Sequence, residues 1–260
     1  VHIPYFYEFT AKIVKLLNFG KMDHENLLGK KNIDFINLYY QNHNQKLQEK
    51  YSLEIKKYNY IITNLMHLFF STPIWSTKIA NYKDENEGLY NYILNLREQN
   101  PEGIRKSNSN GWHSKDFDLN DEAPKKFINA VSSNINTTFN DMDWDIEKQI
   151  IKIKSIWAII NEKGAYNDRH HHGNSALSAA YYVRAPKDCG DIVFYDPRPA
   201  PVFSHPIAKK PNILNATVNS ITPDEGLLVL FPSYLDHSVK PNLSSNQRIV
   251  ISFNVNLIHK

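Results

Sequence analysis

Cysteine is almost missing from this 260-residue sequence, which contains only Cys189. One cysteine cannot form a disulfide within the chain, and it excludes a zinc site made of several thiolates. We therefore expect a reducing compartment, the cytoplasm, which is the host cytoplasm if the gene is viral. The sequence also lacks any apolar run near the roughly 20 residues of a membrane-spanning helix. Its longest apolar runs, at 156–160 and 227–231, have the length of a strand, so no membrane partner is expected.

No block of like charge is present either. The sequence has 30 basic and 27 acidic residues spread along its length, which leaves a net charge of +3. A nucleic-acid surface would need a basic stripe interleaved with aromatic residues, and its lack predicts no nucleic-acid partner. Only 9 glycines and 13 prolines accompany an apolar fraction of 42%, which excludes collagen-like and disordered chains. What remains is a globular protein, and three of its 11 histidines are consecutive.

The sequence divides near residue 60. Residues 1–60 are rich in Lys, Asn and Tyr, and apolar residues at helical spacing predict short helices within 9–17 and 47–55. We interpret this segment as a small helical N-terminal extension of unknown role. Residues 61–260 make up the main domain. Its first predicted strand is 68–75, which Pro73 assigns to a sheet edge or a strand end.

Two helices are predicted next, each with one apolar stripe that can pack on a sheet. The first stripe lies within 89–96 and stops before Asn100-Pro101, a pair that breaks helices. The second lies within 127–139, where apolar residues recur every four positions behind Pro124. The polar segment 107–114 between the two helices is predicted to be a loop.

After Asn140 the spacing of apolar residues changes from about 3.6 to 2, the period of β-strands. The predicted strands are 150–160, 176–184, 191–195, 213–222, 226–232 and 248–257. Several alternating strands separated by turn signals are typical of a two-sheet jelly roll or barrel. With the two helices over one outer face, the predicted fold class is α+β.

The three consecutive histidines lie between two predicted strands. In an extended segment residues i and i+2 face the same side, so His170 and His172 point together while His171 points away. Their Cα atoms are then about 6.6 Å apart, at about 3.3 Å per residue. Two imidazoles at that spacing can converge on one metal ion with metal–nitrogen bonds of about 2.1 Å. A surface tract of histidines explains these three residues equally well.

Two distant residues favour the metal site. His237 follows the apolar strand 226–232, and Arg248 opens the last strand on the same face as Val250 and Ser252. An arginine directed into a β-barrel is costly to bury unless a carboxylate meets it, best through a two-pronged pair. A metal site together with a buried arginine predicts an anionic, chelating cosubstrate.

The order of these motifs resembles the iron(II)- and 2-oxoglutarate-dependent dioxygenase superfamily. Within it, the chain is similar to a branch of small oxygenases of marine bacteria and their phages, related to prolyl hydroxylases. The resemblance extends over about residues 65–257. The segments that carry it are 70–74, 107–114, His170-x-His172, 177–182, 194–198, 226–232 and 237–254.

The resemblance implies a double-stranded β-helix, which is the jelly roll of cupins, and it implies roles for several residues. His170 and His237 match the two histidines of the iron site, Arg248 matches the residue that grips the distal carboxylate of 2-oxoglutarate, and Tyr182 matches a hydroxyl that donates to it. Ser178, Ser252 and Asn254 are candidates for further cosubstrate contacts, with satisfied core polar groups as the alternative. Trp112 and His113 are candidates for a wall or lid of the substrate pocket, with anchoring of the loop to the core as the alternative.

The third iron ligand departs from the resemblance. Most of the superfamily has Asp or Glu two residues after the first histidine, as in the two-histidine, one-carboxylate iron sites, whereas this chain has His172. The ligand is therefore His172, Asp196 of a neighbouring strand, or water or another anion. We favour His172 because i, i+2 geometry already directs it to the site. Asp196 precedes Pro197, where it is equally suited to capping a turn or pairing with Arg198.

The function implied is hydroxylation of an unactivated C–H bond, with Fe(II), 2-oxoglutarate and O2 as cofactor and cosubstrates and with succinate and CO2 as co-products. The expected substrate is a prolyl residue in a peptide, an amino acid or another small molecule. Oligomeric state stays open, with a homodimer as one option. The competing hypotheses are a three-histidine iron dioxygenase that does not use 2-oxoglutarate, and a non-catalytic β-barrel that holds a structural metal.

Overall fold

A computed structural model describes residues 70–204 and 206–260 of the chain. Residues Thr72–Lys260 form one compact unit. The predicted extension over residues 1–60, its helices and its boundary lie outside the described residues, as do the first two residues of the predicted strand 68–75.

The described part of the chain is built from two antiparallel sheets and three helices. The six-stranded sheet has the order β1 (Trp75–Lys78), β9 (Leu227–Pro232), β6 (Leu177–Arg184), β11 (Arg248–His259), β4 (Gln149–Asn161), β3 (Trp112–His113). The five-stranded sheet has the order β2 (Asn108–Ser109), β5 (Tyr166–His170), β10 (His237–Val239), β7 (Ile192–Tyr195), β8 (Val218–Ile221). The helices are α1 (Tyr82–Gln99), α2 (Glu122–Asp141) and α3 (Pro199–Phe203). This arrangement confirms the α+β class.

The two long helices cover the outer face of the six-stranded sheet, as their apolar stripes predict. Phe127 of α2 is 1% exposed, and its ring lies 5.0 Å from Tyr181 and 5.8 Å from Phe253. Ile93 of α1 belongs to the same buried cluster. Since alternate residues of a strand point to opposite faces, the other face of this sheet is free to pack against the five-stranded sheet.

A second apolar cluster joins the two sheets. Tyr182 and Val250 come from the six-stranded sheet, and Ile192 and Phe194 come from the five-stranded one. The rings of Phe194 and Phe231 meet edge to face at 5.1 Å. The space left between the sheets beside this cluster is a cavity, and the candidate site lies there.

Several element bounds differ from the predicted ones. The first strand of the described residues begins at Trp75, so residues 70–74 of the predicted strand are irregular, and β1 does lie at a sheet edge beside β9. The strand predicted at 213–222 shortens to β8, because Asn212 and Asn215 hold a turn before it through their side chains. Strands β2, β3, β5 and β10 have two to five residues each, which is too short for an alternating pattern to be visible in the sequence. The described helices include none that is both long and apolar enough to cross a membrane.

A candidate metal centre in an arginine-anchored cavity

Three histidines meet between neighbouring strands of the five-stranded sheet. His170 ends β5, His172 follows two residues later, and His237 begins β10 directly opposite His170 in the register. One ring nitrogen of each lies within 4.8 Å of those of the other two. In the part of the chain that the structure describes, no other group of three or more His, Cys, Asp or Glu side chains is this close. The i, i+2 spacing thus brings His170 and His172 together, and strand pairing adds His237.

Main-chain carbonyls set the orientation of two of these rings. The Nδ1 atom of His170 lies 2.6 Å from the carbonyl oxygen of Asp168, and that of His237 lies 3.0 Å from the carbonyl oxygen of Leu235. A carbonyl oxygen only accepts hydrogen bonds, so each Nδ1 carries the proton and donates it. The Nε2 atoms keep their lone pairs and are free to bind a metal ion.

Burial keeps all three imidazoles neutral. Desolvation is the largest cause that lowers the pKa of His170, and it lowers the pKa of His172 to about 4 and that of His237 to about 3. The mutual repulsion of the charged forms adds to the effect at His172 and His237. At neutral pH the group therefore offers three uncharged nitrogen donors, a ligand type that suits iron among other transition metals.

His171 points away from this group, as strand alternation predicts. Its side chain is 62% exposed, and its Nδ1 lies 2.9 Å from a carboxylate oxygen of Asp236. The other oxygen of Asp236 accepts hydrogen bonds from Arg169 at 2.9 and 2.8 Å. Asp236 precedes His237 in sequence, so these contacts join the two chain segments that carry the three histidines.

Arg248, the first residue of β11, has a buried guanidinium group that is only partly satisfied. The residue is 1% exposed. Its Nη1 donates to the carbonyl oxygens of Cys189, Lys240 at 2.9 Å and Gly190 at 3.4 Å. Its Nη2 is buried and finds no partner among residues 70–204 and 206–260, and none of the carboxylates in that part of the chain pairs with it. Burial lowers the pKa of Arg248, but a guanidinium remains charged in proteins. A buried charge of this kind favours an anion as its partner.

Tyr182 lies beside Arg248 in the same cavity. Burial raises the pKa of its hydroxyl, although the nearby Arg248 opposes the shift. The hydroxyl is therefore protonated and able to donate a hydrogen bond. Gly190 is required next to them, because it has a positive φ of 89° and a Cβ there would collide with the Lys240 carbonyl and approach Nη1 of Arg248 to 2.9 Å.

The cavity has a volume of about 380 Å³ and contains most of the predicted site residues. The three histidines, Arg248, Tyr182, Ser252 and His113 all line it. Its apolar walls include Ile192, Phe231 and Val250. The side chains of one cavity thus combine a neutral nitrogen donor set with a positive charge.

Three residues predicted to contact the cosubstrate or the substrate do not line the cavity. Ser178 and Asn254 bond to each other at 2.8 Å, and Ser178 also bonds to Ser233 at 2.8 Å, so they satisfy one another within the sheet. Trp112 packs in the outer core, and its indole N–H donates to the carbonyl of Asn100 at 2.9 Å. It anchors the loop after α1 and is not a wall of the pocket.

The carboxylate of Asp196 is hydrogen-bonded to Arg198, two residues further along the chain. Its two carboxylate oxygens accept hydrogen bonds from the Arg198 side chain at 3.0 and 2.7 Å, and one of them also accepts the main-chain N–H of Arg198 at 2.9 Å. It does not belong to the three-histidine group. This pairing with Arg198 is the one that the sequence suggested as the alternative to metal binding.

The Asp196→Asn variant is expected to bind iron as well as the wild type. The carboxylate is already committed to Arg198, so losing its charge removes no ligand. Metal content after reconstitution with Fe(II) and dialysis checks this expectation. A clear drop in bound iron, with unchanged thermal unfolding, would instead make Asp196 the third ligand.

Trp157 of β4 is a cavity residue that the sequence did not reveal. Its ring lies 5.8 Å from that of His172 and stacks on His113 at 5.8 Å with an interplanar angle of 10°. The pairing of β4 with β11 is irregular between Asn254 and Val255. This irregularity turns Trp157 and the cavity-lining Ile159 to the inner face. The uninterrupted alternation of the sequence gives no sign of the change.

A family model matches residues 155–254, which contain the three histidines, Tyr182 and Arg248, and its description is "Putative 2OG-Fe(II) oxygenase". Among solved structures, the fold resembles a prolyl-4-hydroxylase of Pseudomonas putida, with 14% identity, coverage of 72% of this chain and 93% of that one, and a TM-score of 0.51. It also resembles a Trichoplax adhaerens prolyl hydroxylase in complex with a hypoxia inducible factor peptide fragment, with 16% identity, coverage of 82% and 91%, and a TM-score of 0.50.

HygX of Streptomyces hygroscopicus, solved with nickel, 2-oxoglutarate and hygromycin B bound, is a further neighbour at 11% identity, with coverage of 71% and 83% and a TM-score of 0.51. At such identities these likenesses show a shared fold. By contrast, no curated protein sequence is detectably similar to this one.

Residues 155–254 thus match the 2OG-Fe(II) oxygenase family, as the sequence motifs indicated, and the chain shares its fold with the two prolyl hydroxylase structures. This match, together with the three-histidine group, confirms the predicted cofactors, which are Fe(II), 2-oxoglutarate and O2. The site fits them, because the three neutral imidazoles suit the iron and the unpartnered Nη2 of Arg248 suits an anionic cosubstrate.

Proposed function

We propose that the protein is a dioxygenase that uses Fe(II) and 2-oxoglutarate to hydroxylate an unactivated C–H bond of a small-molecule or peptide substrate, with succinate and CO2 as co-products. One observation carries the proposal. Three neutral imidazoles and a buried guanidinium with a free Nη2 line the same cavity. A structural metal site does not require an unpaired arginine in the same cavity, whereas a chelating dianion binds both the metal and the guanidinium group.

Each residue has a defined role in this proposal. His170, His172 and His237 bind the metal, the first and last through Nε2 because their Nδ1 atoms donate to carbonyl oxygens. Arg248 binds the distal carboxylate of 2-oxoglutarate through Nη2, and the Tyr182 hydroxyl donates to the same carboxylate. Ser252, which lines the cavity on the strand that Arg248 opens, supplies a further polar contact to the cosubstrate.

When bound, iron and 2-oxoglutarate supply the oxidising chemistry, and the protein supplies binding, orientation and exclusion of water. Phe231 packs its ring edge to face on His237 at 4.6 Å. With Ile192 and Val250 it surrounds the site with apolar surface. A dry, fixed pocket of this kind strengthens the contact between Arg248 and a carboxylate, because little water competes for either group.

The strand order supports the double-stranded β-helix as the finer description of the fold. The central strands β9, β6, β11 and β4 of one sheet lie over β5, β10, β7 and β8 of the other, which is a four-on-four arrangement of antiparallel strands. We infer the jelly roll from this order.

We also propose the cytoplasm as the location of the protein, because its single cysteine, Cys189, is a buried free thiol and forms no disulfide.

Reconstitution with Fe(II) tests the proposal. With ascorbate as the reductant that converts the second oxygen atom to water, the protein is expected to convert 2-oxoglutarate to succinate and CO2 slowly even without an identified substrate, and the conversion should require both Fe(II) and O2. His237→Ala should lose this activity, whereas His171→Ala, its exposed neighbour, should retain it. O2 uptake without conversion of 2-oxoglutarate would favour the three-histidine dioxygenase instead. Metal binding that only raises the unfolding temperature would favour the structural β-barrel.

A further inference from the structure

A buried hydrogen-bond donor without a partner lies next to the metal centre. Trp157 is 8% exposed and lines the cavity, and its indole Nε1 finds no acceptor in the part of the chain that the structure describes. Leaving a buried N–H unpaired costs free energy, and such groups in native structures call for an explanation, for example a bound ligand. The ring is held in place between His113 and His172, so the donor is fixed before any ligand arrives.

The position of Trp157 separates it from the cosubstrate anchor. On the paired strands β4 and β11, Trp157 lies opposite Ser252, and Asn161 lies opposite Arg248. Trp157 is thus four residues from the level of Arg248, about 13 Å along the sheet. The five-carbon chain of 2-oxoglutarate spans about 5 Å at ordinary bond lengths. The distal carboxylate of a cosubstrate held by Arg248 therefore lies far from Trp157, and the indole N–H is not needed for that anchor.

Charge indicates what that ligand is. A set of three neutral imidazoles adds no negative charge to the two positive charges of Fe(II), and Arg248 contributes one more. The two negative charges of 2-oxoglutarate then leave one positive charge in the cavity, which a carboxylate ligand in place of His172 would have cancelled. At the mouth, Lys106 and Asp168 carry opposite charges, and Arg169 is paired with Asp236. The low-dielectric interior therefore favours a substrate with a negative group.

We propose that the substrate is a carboxylate, that its carboxylate group accepts a hydrogen bond from the indole N–H of Trp157, and that its remaining atoms lie against the surface formed by Trp157 and His113. This inference rests on the proposed function, because the charge balance requires Fe(II) and 2-oxoglutarate. Trp157 is a substrate-binding residue in this arrangement, and the histidine at position 172 determines which charge the substrate carries.

Matched pairs of probes test the proposal by calorimetry on protein loaded with Mn(II) and 2-oxoglutarate, which excludes turnover. The pairs are N-acetyl-L-proline with N-acetyl-L-prolinamide, and 3-methylbutanoate with 3-methylbutanamide. In at least one pair the carboxylate is expected to bind about tenfold or more tightly than its amide, the difference typical of a charge-assisted hydrogen bond. The wild-type preference is informative by itself, so this arm does not depend on any variant folding.

Two tryptophan variants locate the contact. Trp157→Phe removes the N–H but keeps an aromatic ring, and it should reduce the preference for the carboxylate to less than about threefold. Trp112→Phe is the matched control, since that buried indole donates to Asn100 outside the cavity, and it should keep the wild-type preference. Thermal unfolding of both variants shows whether they are folded.

Three outcomes would overturn the inference. Equal binding of carboxylate and amide in every pair, or failure of every carboxylate to bind, would exclude an anionic substrate. An unchanged preference in folded Trp157→Phe would exclude the indole contact. Weaker binding of 2-oxoglutarate to Trp157→Phe, with no change for the probes, would assign the N–H to the cosubstrate. Failure of 2-oxoglutarate itself to bind the Mn(II)-loaded wild type would instead contradict the proposed function, so the two failures are distinguishable.

Discussion

The Arg248→Met variant is expected to bind 2-oxoglutarate at least about 30-fold more weakly than the wild type. Methionine keeps much of the length and apolar surface of the side chain but removes the charge and the free Nη2. Truncating one partner of a buried, hydrogen-bonded charge pair costs about 2–5 kcal/mol, and each 1.4 kcal/mol or so is a factor of ten. Calorimetric titration of the Mn(II)-loaded protein with 2-oxoglutarate measures the change.

Two controls separate binding from folding. Arg248 also holds the carbonyl oxygens of Cys189, Gly190 and Lys240, so part of its effect is on stability, and metal content and thermal unfolding are measured beside affinity. Arg248→Lys keeps a charge and one donor group and should bind with intermediate affinity. Arg97→Met, at a surface pair with Glu162, should bind 2-oxoglutarate like the wild type. Wild-type affinity in Arg248→Met would show that the cosubstrate is anchored elsewhere.

Loss of one histidine should reduce the affinity for the metal by a larger factor than the Arg248→Met substitution reduces the affinity for 2-oxoglutarate. His237→Ala removes one of only three protein ligands, and changes to residues that merely support metal ligands already cost about 10–100-fold in affinity. We expect a loss beyond 100-fold, about the upper end of that range, measured as Fe(II) content after dialysis and as Mn(II) affinity. Chelation of the metal from the wild type should likewise abolish tight binding of 2-oxoglutarate, and added Fe(II) should restore it.

His171→Ala is the matched control for this experiment. It removes an imidazole from the same run of histidines, but one that faces solvent and Asp236, so metal content should be unchanged. If His171→Ala loses as much metal as His237→Ala, the ligand set is different from the one proposed. The metal-free protein should still unfold cooperatively, because none of the three histidines is a member of either apolar cluster. A structural site would instead make folding depend on the metal.

The sequence predicts the arrangement of the main elements well where a long pattern is available. Helices α1 and α2 follow from four-residue apolar spacing, and the long strands β4 and β11 follow from alternation. The convergence of His170 and His172 follows from the same period, since it fixes which residues share a face. The burial of Arg248 follows from its place at the start of a largely apolar strand. Each of these predictions depends only on residues that are close together in the sequence.

The remaining features depend on contacts between distant segments. The register of β5 and β10 places His237 against His170, and no local pattern encodes that register. The irregular pairing of β4 and β11 near Asn254 decides which residues of β4 face the cavity, so it hid Trp157. Ser178 and Asn254 do share a strand face with cavity residues, but they lie close enough to bond to each other, and alternation alone cannot distinguish the two cases.

The distribution of the site over the two sheets has a mechanical consequence. His170 and His237 belong to one sheet, whereas Arg248, Tyr182 and Trp157 belong to the other. One sheet therefore carries two of the histidines that bind the metal, and the other carries the side chains proposed to bind the cosubstrate and the substrate. The distance between the metal site and the guanidinium group is thus set by the thickness of the apolar layer around Phe194 and Phe231, which separates the two sheets. A substitution in that layer can therefore change this distance without replacing any side chain that binds a ligand.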